Sequence, residues 1–330
     1  MTTAAQIDPA RKIAARKRGN RLGFRFFEAS LRLFGLRGAY GLLYLVCPYY
    51  LLFDPAAVRA SLAYVRRRFP RDGALKHLWL VYRLFISQGR SLIDRHYLVS
   101  GLGNFDITLH GREEIAPLLE HPEQGFILLT THMGNWQVAM TVLKAFNKPV
   151  CLLMRPEDNP AVQESLQVDS QSATVRVLSP ESFLGGVVEL LRLLQTGHIV
   201  SIMGDRSYGH ASVTIPFLGD SARFPCGAFS IAAAAACPVV VLLSAKQGVR
   251  SYRVDIAGVF RPAYAPGVNK RRQLQQWVAE FAGILEDYAA AHPLQFFLFH
   301  DIWGEAADAS PTAPTSHRHF RTLDNLRLRV

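Results

Sequence analysis

The chain has 330 residues, 49% of them apolar and 19% charged, with a formal net charge of +11. This length buries a sizeable core, as one large domain with extensions or as two modest ones. The composition is greasier than that of a typical cytosolic enzyme, yet far from that of a multi-span membrane protein.

The basic charge is concentrated near the start. Nine Lys/Arg (Arg11, Lys12, Arg16, Lys17, Arg18, Arg21, Arg25, Arg32, Arg37) stand between residues 11 and 37 against one acid, Glu28. An apolar run follows, and a basic segment beside apolar residues suits an anionic membrane surface, at roughly 1 kcal/mol per basic residue near the lipid. Phosphate backbones attract the same charge. However, the chain has no helix-turn-helix pattern, zinc-finger spacing or RNA-binding aromatic signature, so no nucleic-acid partner is expected.

Residues 38–53, GAYGLLYLVCPYYLLF, form an uncharged run of sixteen. A spanning helix needs about 20 residues, and Pro48 interrupts the run. Two membrane readings follow. One is a marginal anchor whose basic side, and hence N-terminus, faces the cytoplasm. The other is an amphipathic region in the interface, with Tyr40, Tyr44, Tyr49 and Tyr50 at headgroup depth. An ordinary buried helix is the alternative without a membrane. Residues 1–54 are therefore read as a membrane-associating region.

Residues 55–98 carry apolar residues three and four apart and read as helical. Short apolar runs then read as buried strands: FILLT (126–130), VCLLM (150–154), VRVLS (175–179), IVSIM (199–203) and VVVLLSA (239–245). Helical patterns lie between several of them, at 134–146, 161–172 and 181–196. Residues 251–260 alternate like a further strand, and 269–290 read as a long helix. The alternation predicts a single α/β domain over 55–304, with a mainly parallel core sheet flanked by helices. Residues 305–330, rich in small polar residues, Pro and Arg, read as a flexible tail. Cys47, Cys151 and Cys237 lie inside apolar runs and read as small buried hydrophobes; Cys226 stands alone, and nothing requires an oxidising compartment. His110, His198 and His292 have no metal-site spacing.

The sharpest chemical signal is FILLTTHMGNWQVAM. A buried strand ends, His132 follows almost at once, and Gly134 and Asn135 lead into a helical pattern. Ligands of open α/β sheets bind beyond the carboxyl ends of strands, and histidine is the commonest proton-transfer side chain near neutral pH. This block resembles the H-x4-D/E motif of glycerolipid-type acyltransferases, and is most similar to the bacterial lipid A late acyltransferases (the lauroyl/myristoyl transferases). Further blocks fall in the family's order. Arg155-Pro156 follow the second strand, and Gly204-Asp205-Arg206 the fourth. Phe217-Leu218-Gly219 and the FPxG stretch of Phe224, Pro225 and Gly227 come next. HPLQFFLFHDIW (292–303) is like the closing P-x-Q-W/Y motif.

The resemblance implies an O-acyltransferase on the cytoplasmic face of the inner membrane. The implied donor is an acyl thioester, on acyl carrier protein or coenzyme A. The implied acceptor is a hydroxyl of a membrane lipid or glycolipid, lipid A-like. It implies His132 as general base and no metal or organic cofactor. One position departs from the pattern: the acid expected five residues after the histidine is Gln137. Three explanations follow, in this order. Gln137 pairs with His132 in a site tuned otherwise; another carboxylate, with Asp205 as candidate, reaches the ring; or the chain is a catalytically silent lipid-binding homologue.

The remaining candidates have both a binding and an ordinary reading. Arg206 suits a phosphate or the donor's phosphopantetheine, or else an ion pair with Asp205. Arg155 and Arg223 are weaker candidates of the same kind. Gly204 and Gly227 permit close backbone approach and N–H donation to a thioester oxyanion, or are simple turn glycines. Asn135 and Trp136 could shape the pocket. A serine hydrolase would need a G-x-S-x-G elbow, and GDRSYG lacks the preceding glycine at Ser207.

Overall fold

A computed structural model describes residues 21–153, 175–178, 186–206 and 211–304. Three helices come first: α1 (Arg21–Phe53), α2 (Pro55–Arg68) and α3 (Ala74–Val99). Asp54 separates the first two. Its carboxylate accepts from the Ala57 amide at 3.1 Å, and Pro55 occupies the first helical position, where no intrahelical donor is needed. Helix α1 is interrupted at Gly35, whose φ of 64° and ψ of −167° are not helical. Beyond that kink it runs antiparallel to α3, with Tyr40 beside Asp94 and Leu43 beside Gly89.

The α/β layer follows in the order β1 (Asp106–His110), α4 (Arg112–Glu120), β2 (Phe126–Thr130), α5 (Trp136–Ala139), β3 (Val150–Leu153), β4 (Val175–Leu178), α6 (Val187–Gln195), β5 (Ile199–Met203), β6 (Ser212–Phe217), β7 (Asp220–Pro225), α7 (Gly227–Ala235), β8 (Val239–Lys246), β9 (Ser251–Phe260) and α8 (Lys270–Ala291). Seven strands form one sheet in the order β1-β9-β8-β2-β5-β3-β4, while β6 and β7 form a separate hairpin. Every pairing in the large sheet is parallel except β8 with β9. The expected mainly parallel α/β architecture is thus the observed one.

The central strand β2 is apolar until its final threonine because the sheet is covered on both faces. All five residues are buried. Ile127 and Leu129 enter the core shared with α1, α3, α7 and α8, and Phe126 and Leu128 enter the one shared with α4 and α5. Cys47, Cys151 and Cys237 are buried, as the reading of small buried side chains requires, and so is Cys226.

Most expected strands stand within a residue of their positions; the helices shift more. The pattern over 134–146 gives one α turn, then a 3₁₀ segment from Met140 to Phe146. There Thr141 Oγ1 donates to the Val138 carbonyl at 2.7 Å, competing with the helical ladder. Of the pattern over 181–196, the described part is helical from Val187 to Gln195. The helix expected over 161–172 and the tail from 305 lie outside the described residues. Strand β1, helix α4 and the β6–β7 hairpin were not expected. Strand β1 is an edge strand with no buried residue, α4 contains Pro117, and β6 carries Pro216.

Candidate active site

His132 sits two residues past the end of β2, and Asp205 two residues past the end of its parallel neighbour β5. The in-register pairing of Thr130 with Met203 brings the two loops to the same edge of the sheet. His132 Nδ1 lies 3.0 Å from each carboxylate oxygen of Asp205, and the His132 amide donates to Oδ2 at 2.9 Å. A carboxylate only accepts, so Nδ1 carries a proton, and in the neutral ring Nε2 is the nitrogen with the lone pair. Among the described residues, none hydrogen-bonds Nε2. The ring is 22% exposed and the carboxylate is fully buried.

Burial alone would push the Asp205 carboxyl up. The His132 ring and its hydrogen bond, then Arg206 and the His132 amide, outweigh it and hold the group below the usual aspartate range. Asp205 is therefore a buried anion aimed at an imidazole. Gln137, by contrast, is half-buried in the first turn of α5, and no described residue hydrogen-bonds its side chain. The ring nitrogen that a Gln137–His132 pair would need is taken by Asp205. The second of the three explanations is the one with geometry behind it.

Around this pair the loop His132–Asn135 is pinned by four hydrogen bonds from three places. The Gly134 amide donates to the Gln295 carbonyl at 2.7 Å, and the Phe297 amide to the His132 carbonyl at 2.9 Å. Ser91 Oγ on α3 donates to the Gly134 carbonyl at 3.2 Å. Ser244 Oγ on β8 accepts from the Asn135 amide at 3.0 Å. Gly134 has φ of 63°, and a Cβ there would lie 1.9 Å from the Ser244 carbonyl oxygen, so only glycine fits.

Several expected binding residues are engaged in this scaffold. Asn135, only 2% exposed, accepts from the Val138 amide as the N-cap of α5 and donates to the Ser91 carbonyl at 2.9 Å. The Gly204 amide donates to the Thr130 carbonyl at 2.9 Å, so it is not available to an oxyanion; a Cβ there would press on Leu129 and Phe281. Arg206 Nη2 donates to the Phe297 carbonyl at 2.8 Å, bracing the closing segment. Arg223 Nε donates to Ser212 Oγ at 2.6 Å and ties β7 to β6. Gly227 opens α7 with free space at its Cβ position. Trp136 is half-buried at the start of α5. Arg155 lies outside the described residues. Among the described residues, no cluster of three or more His, Cys, Asp or Glu could hold a metal ion.

The closing block has a role that the sequence did not disclose. Gln295 accepts from the Lys246 amide at 2.7 Å and returns a bond to the Lys246 carbonyl at 3.0 Å. It thus extends β8 with its side chain while its backbone holds Gly134. Ser91 and Ser244 also escaped the sequence reading, because nothing in a lone serine marks it as a loop clamp.

The sequence model of the bacterial lipid A biosynthesis acyltransferases matches residues 104–305, which contain His132, Asp205 and the closing segment. The chain belongs to that family. It is thereby a lipid A-type acyltransferase by descent, with the mixed α/β fold described above. A comparison with curated proteins returns no match.

Proposed function

We propose that the protein transfers a fatty acyl chain from a thioester, on acyl carrier protein or coenzyme A, to a hydroxyl of a lipid A-like membrane glycolipid. His132 acts as the base and Asp205 as its carboxylate. The observation that carries this reading is the buried Asp205 carboxylate on His132 Nδ1, which supplies the negative charge that Gln137 lacks. Nε2 removes the acceptor hydroxyl's proton as that oxygen attacks the thioester carbonyl. The tetrahedral intermediate then expels the thiolate, which takes the proton back from the imidazolium. Asp205 holds the tautomer and stabilises the imidazolium meanwhile. Oxyanion donors would come from amides other than that of Gly204; the first turn of α7 at Gly227 is the candidate.

The membrane partner is read as an anionic lipid surface, inner membrane, cytoplasmic face, with α1 lying in the interface. Helix Arg25–Phe53 is long and apolar enough to cross a bilayer. Yet Ala39, Tyr40, Leu43 and Cys47 are buried in the core shared with α3, so one side of the helix is committed to protein. Its other side exposes Leu45, Tyr49, Leu52 and Phe53, and the antiparallel α3 adds Leu75, Leu78 and Trp79. Exposed Arg37 of α1, Arg59 and Arg66 of α2 and Arg83 of α3 stand on the same helical layer. Apolar residues rimmed by cations are the pattern of an interfacial helix.

The test is a transfer assay with labelled acyl carrier protein and coenzyme A thioesters and a bacterial lipid extract. Wild type is run beside His132→Ala, Asp205→Asn and Gln137→Ala. Label entering a lipid with wild type and Gln137→Ala, but not with His132→Ala, supports the assignment. Folded wild type that transfers from neither donor supports the silent lipid-binding homologue instead.

A further inference from the structure

A second buried ionic cluster lies outside the His132–Asp205 pair. Asp94 on α3 has no exposed surface. It accepts from Tyr40 of α1, from Tyr252 of β9, and from Lys246 Nζ of β8 at 2.6 Å. The Lys246 ammonium also lies over the rings of Tyr40, Phe105 and Tyr252, 4.7–5.4 Å from their centroids. One carboxylate thus ties four elements together.

Two of those elements hold the His132 loop. Ser91, which bonds the Gly134 carbonyl and receives Asn135, is three residues before Asp94, on the same face of α3. Ser244, which bonds the Asn135 amide, is two residues before Lys246, on the same face of β8. The Lys246 backbone is further gripped on both sides by Gln295, whose own carbonyl takes the Gly134 amide. Every named clamp on Gly134 and Asn135 is therefore mounted within one helical turn, or one strand repeat, of the Asp94–Lys246 pair, or directly on the Lys246 backbone.

We propose that Asp94 and Lys246 are positioning residues for the base: their buried pair sets the spacing of α3 and β8 and so aims the His132 loop, while Tyr40 extends that brace to the membrane-facing helix α1. The proposal rests on the reading of His132 as the base, and it adds a route by which seating of α1 reaches the active site. Removing Lys246 strands the fully buried Asp94 carboxylate, and removing Asp94 takes the anion from the 16%-exposed Lys246 ammonium, whereas neutralising both leaves neither charge. A small misplacement of the base costs about 10²-fold in rate.

The experiment compares the full chain carrying Asp94→Asn, Lys246→Met, Tyr40→Phe or the double change Asp94→Asn/Lys246→Met. Leu118→Ala, a core deletion on the opposite face of the sheet, serves as a destabilised control. Two readouts are taken well below each variant's melting temperature: kcat and KM for the thioester donor, and amide hydrogen exchange of the segments containing Gly134 and Phe297. The single pair variants are expected to lose about 10²-fold in kcat with little change in KM, and to exchange faster in those two segments than in β2. Tyr40→Phe should show a smaller effect in the same segments, the double variant should recover much of the loss, and Leu118→Ala should show neither signature. Wild-type exchange in the loop of folded Asp94→Asn or Lys246→Met would overturn the proposal. If both singles fail to fold, Tyr40→Phe decides it: faster exchange confined to those two segments supports the proposal, and wild-type exchange there overturns it. The exchange readout needs no turnover, so it stands even if wild type transfers no acyl group.

Discussion

Asp205 has no water-accessible surface, yet the His132 ring, its hydrogen bond and Arg206 keep its carboxyl ionised against the burial penalty. Two expectations follow at this scale. In a serine-protease triad, the analogous Asp→Asn change costs about 10⁴ in kcat. Asp205→Asn is expected to lower transfer by about 10³–10⁴-fold, while Gln137→Ala changes it less than about tenfold; steady-state transfer rates decide between the two residues. The second concerns pH. The folded pKa of Asp205 is depressed, so its contribution to stability is fully present above about pH 4 and is lost as pH falls through the lower folded value. Denaturant midpoints taken at pH 7 and across the acid range should fall for wild type and fall less for Asp205→Asn. An equal fall in both would remove Asp205 as the stabilising anion.

At the scale of elements, the active-site loop depends on a very short helix. Asn135 caps α5 and also reaches α3 through Ser91. Asn135→Ala should lose about 1–2 kcal/mol from the cap, with the Ser91 bond adding to it. Urea unfolding gives the number, and a loss below about 0.5 kcal/mol would mean that the cap is replaced by water. Gly134→Ala is a harsher test, since the added Cβ meets the Ser244 carbonyl and the residue must hold a left-handed φ. A destabilisation of at least about 2 kcal/mol is expected. The β6–β7 hairpin is anchored through Trp303, whose ring stacks on Phe217 and whose Nε1 donates to the Phe217 carbonyl at 3.1 Å.

At the scale of the molecule, the exposed apolar residues of α1 and α3 are predicted to set membrane binding. Leu52→Glu with Trp79→Glu should weaken sedimentation with anionic vesicles by tenfold or more, since about 0.8 kcal/mol is lost per withdrawn CH₂. Added salt should weaken the wild type, because screening removes the contribution of the exposed arginines. A carbonate wash should release the protein from membranes. Retention through that wash would sink the interfacial reading and favour a spanning α1.

The periodicities of the sequence were enough to locate the main sheet strands and the long helices, because apolar runs of four to eight residues between helical patterns are what a doubly covered parallel sheet requires. They also placed His132 at a strand end, and the motif blocks named the family. They did not reveal β1 or β6–β7, whose weak apolar signal reflects an edge position and a proline. Nor did they choose among three explanations for Gln137. Residues 132 and 205 are far apart in sequence, and only the parallel register of β2 with β5 brings their loops together. The Asp94 brace was likewise invisible, since its three partners come from three other elements and no local pattern links them. Local sequence determined where the strands and helices form; the pairing register of the sheet decided which carboxylate meets the histidine.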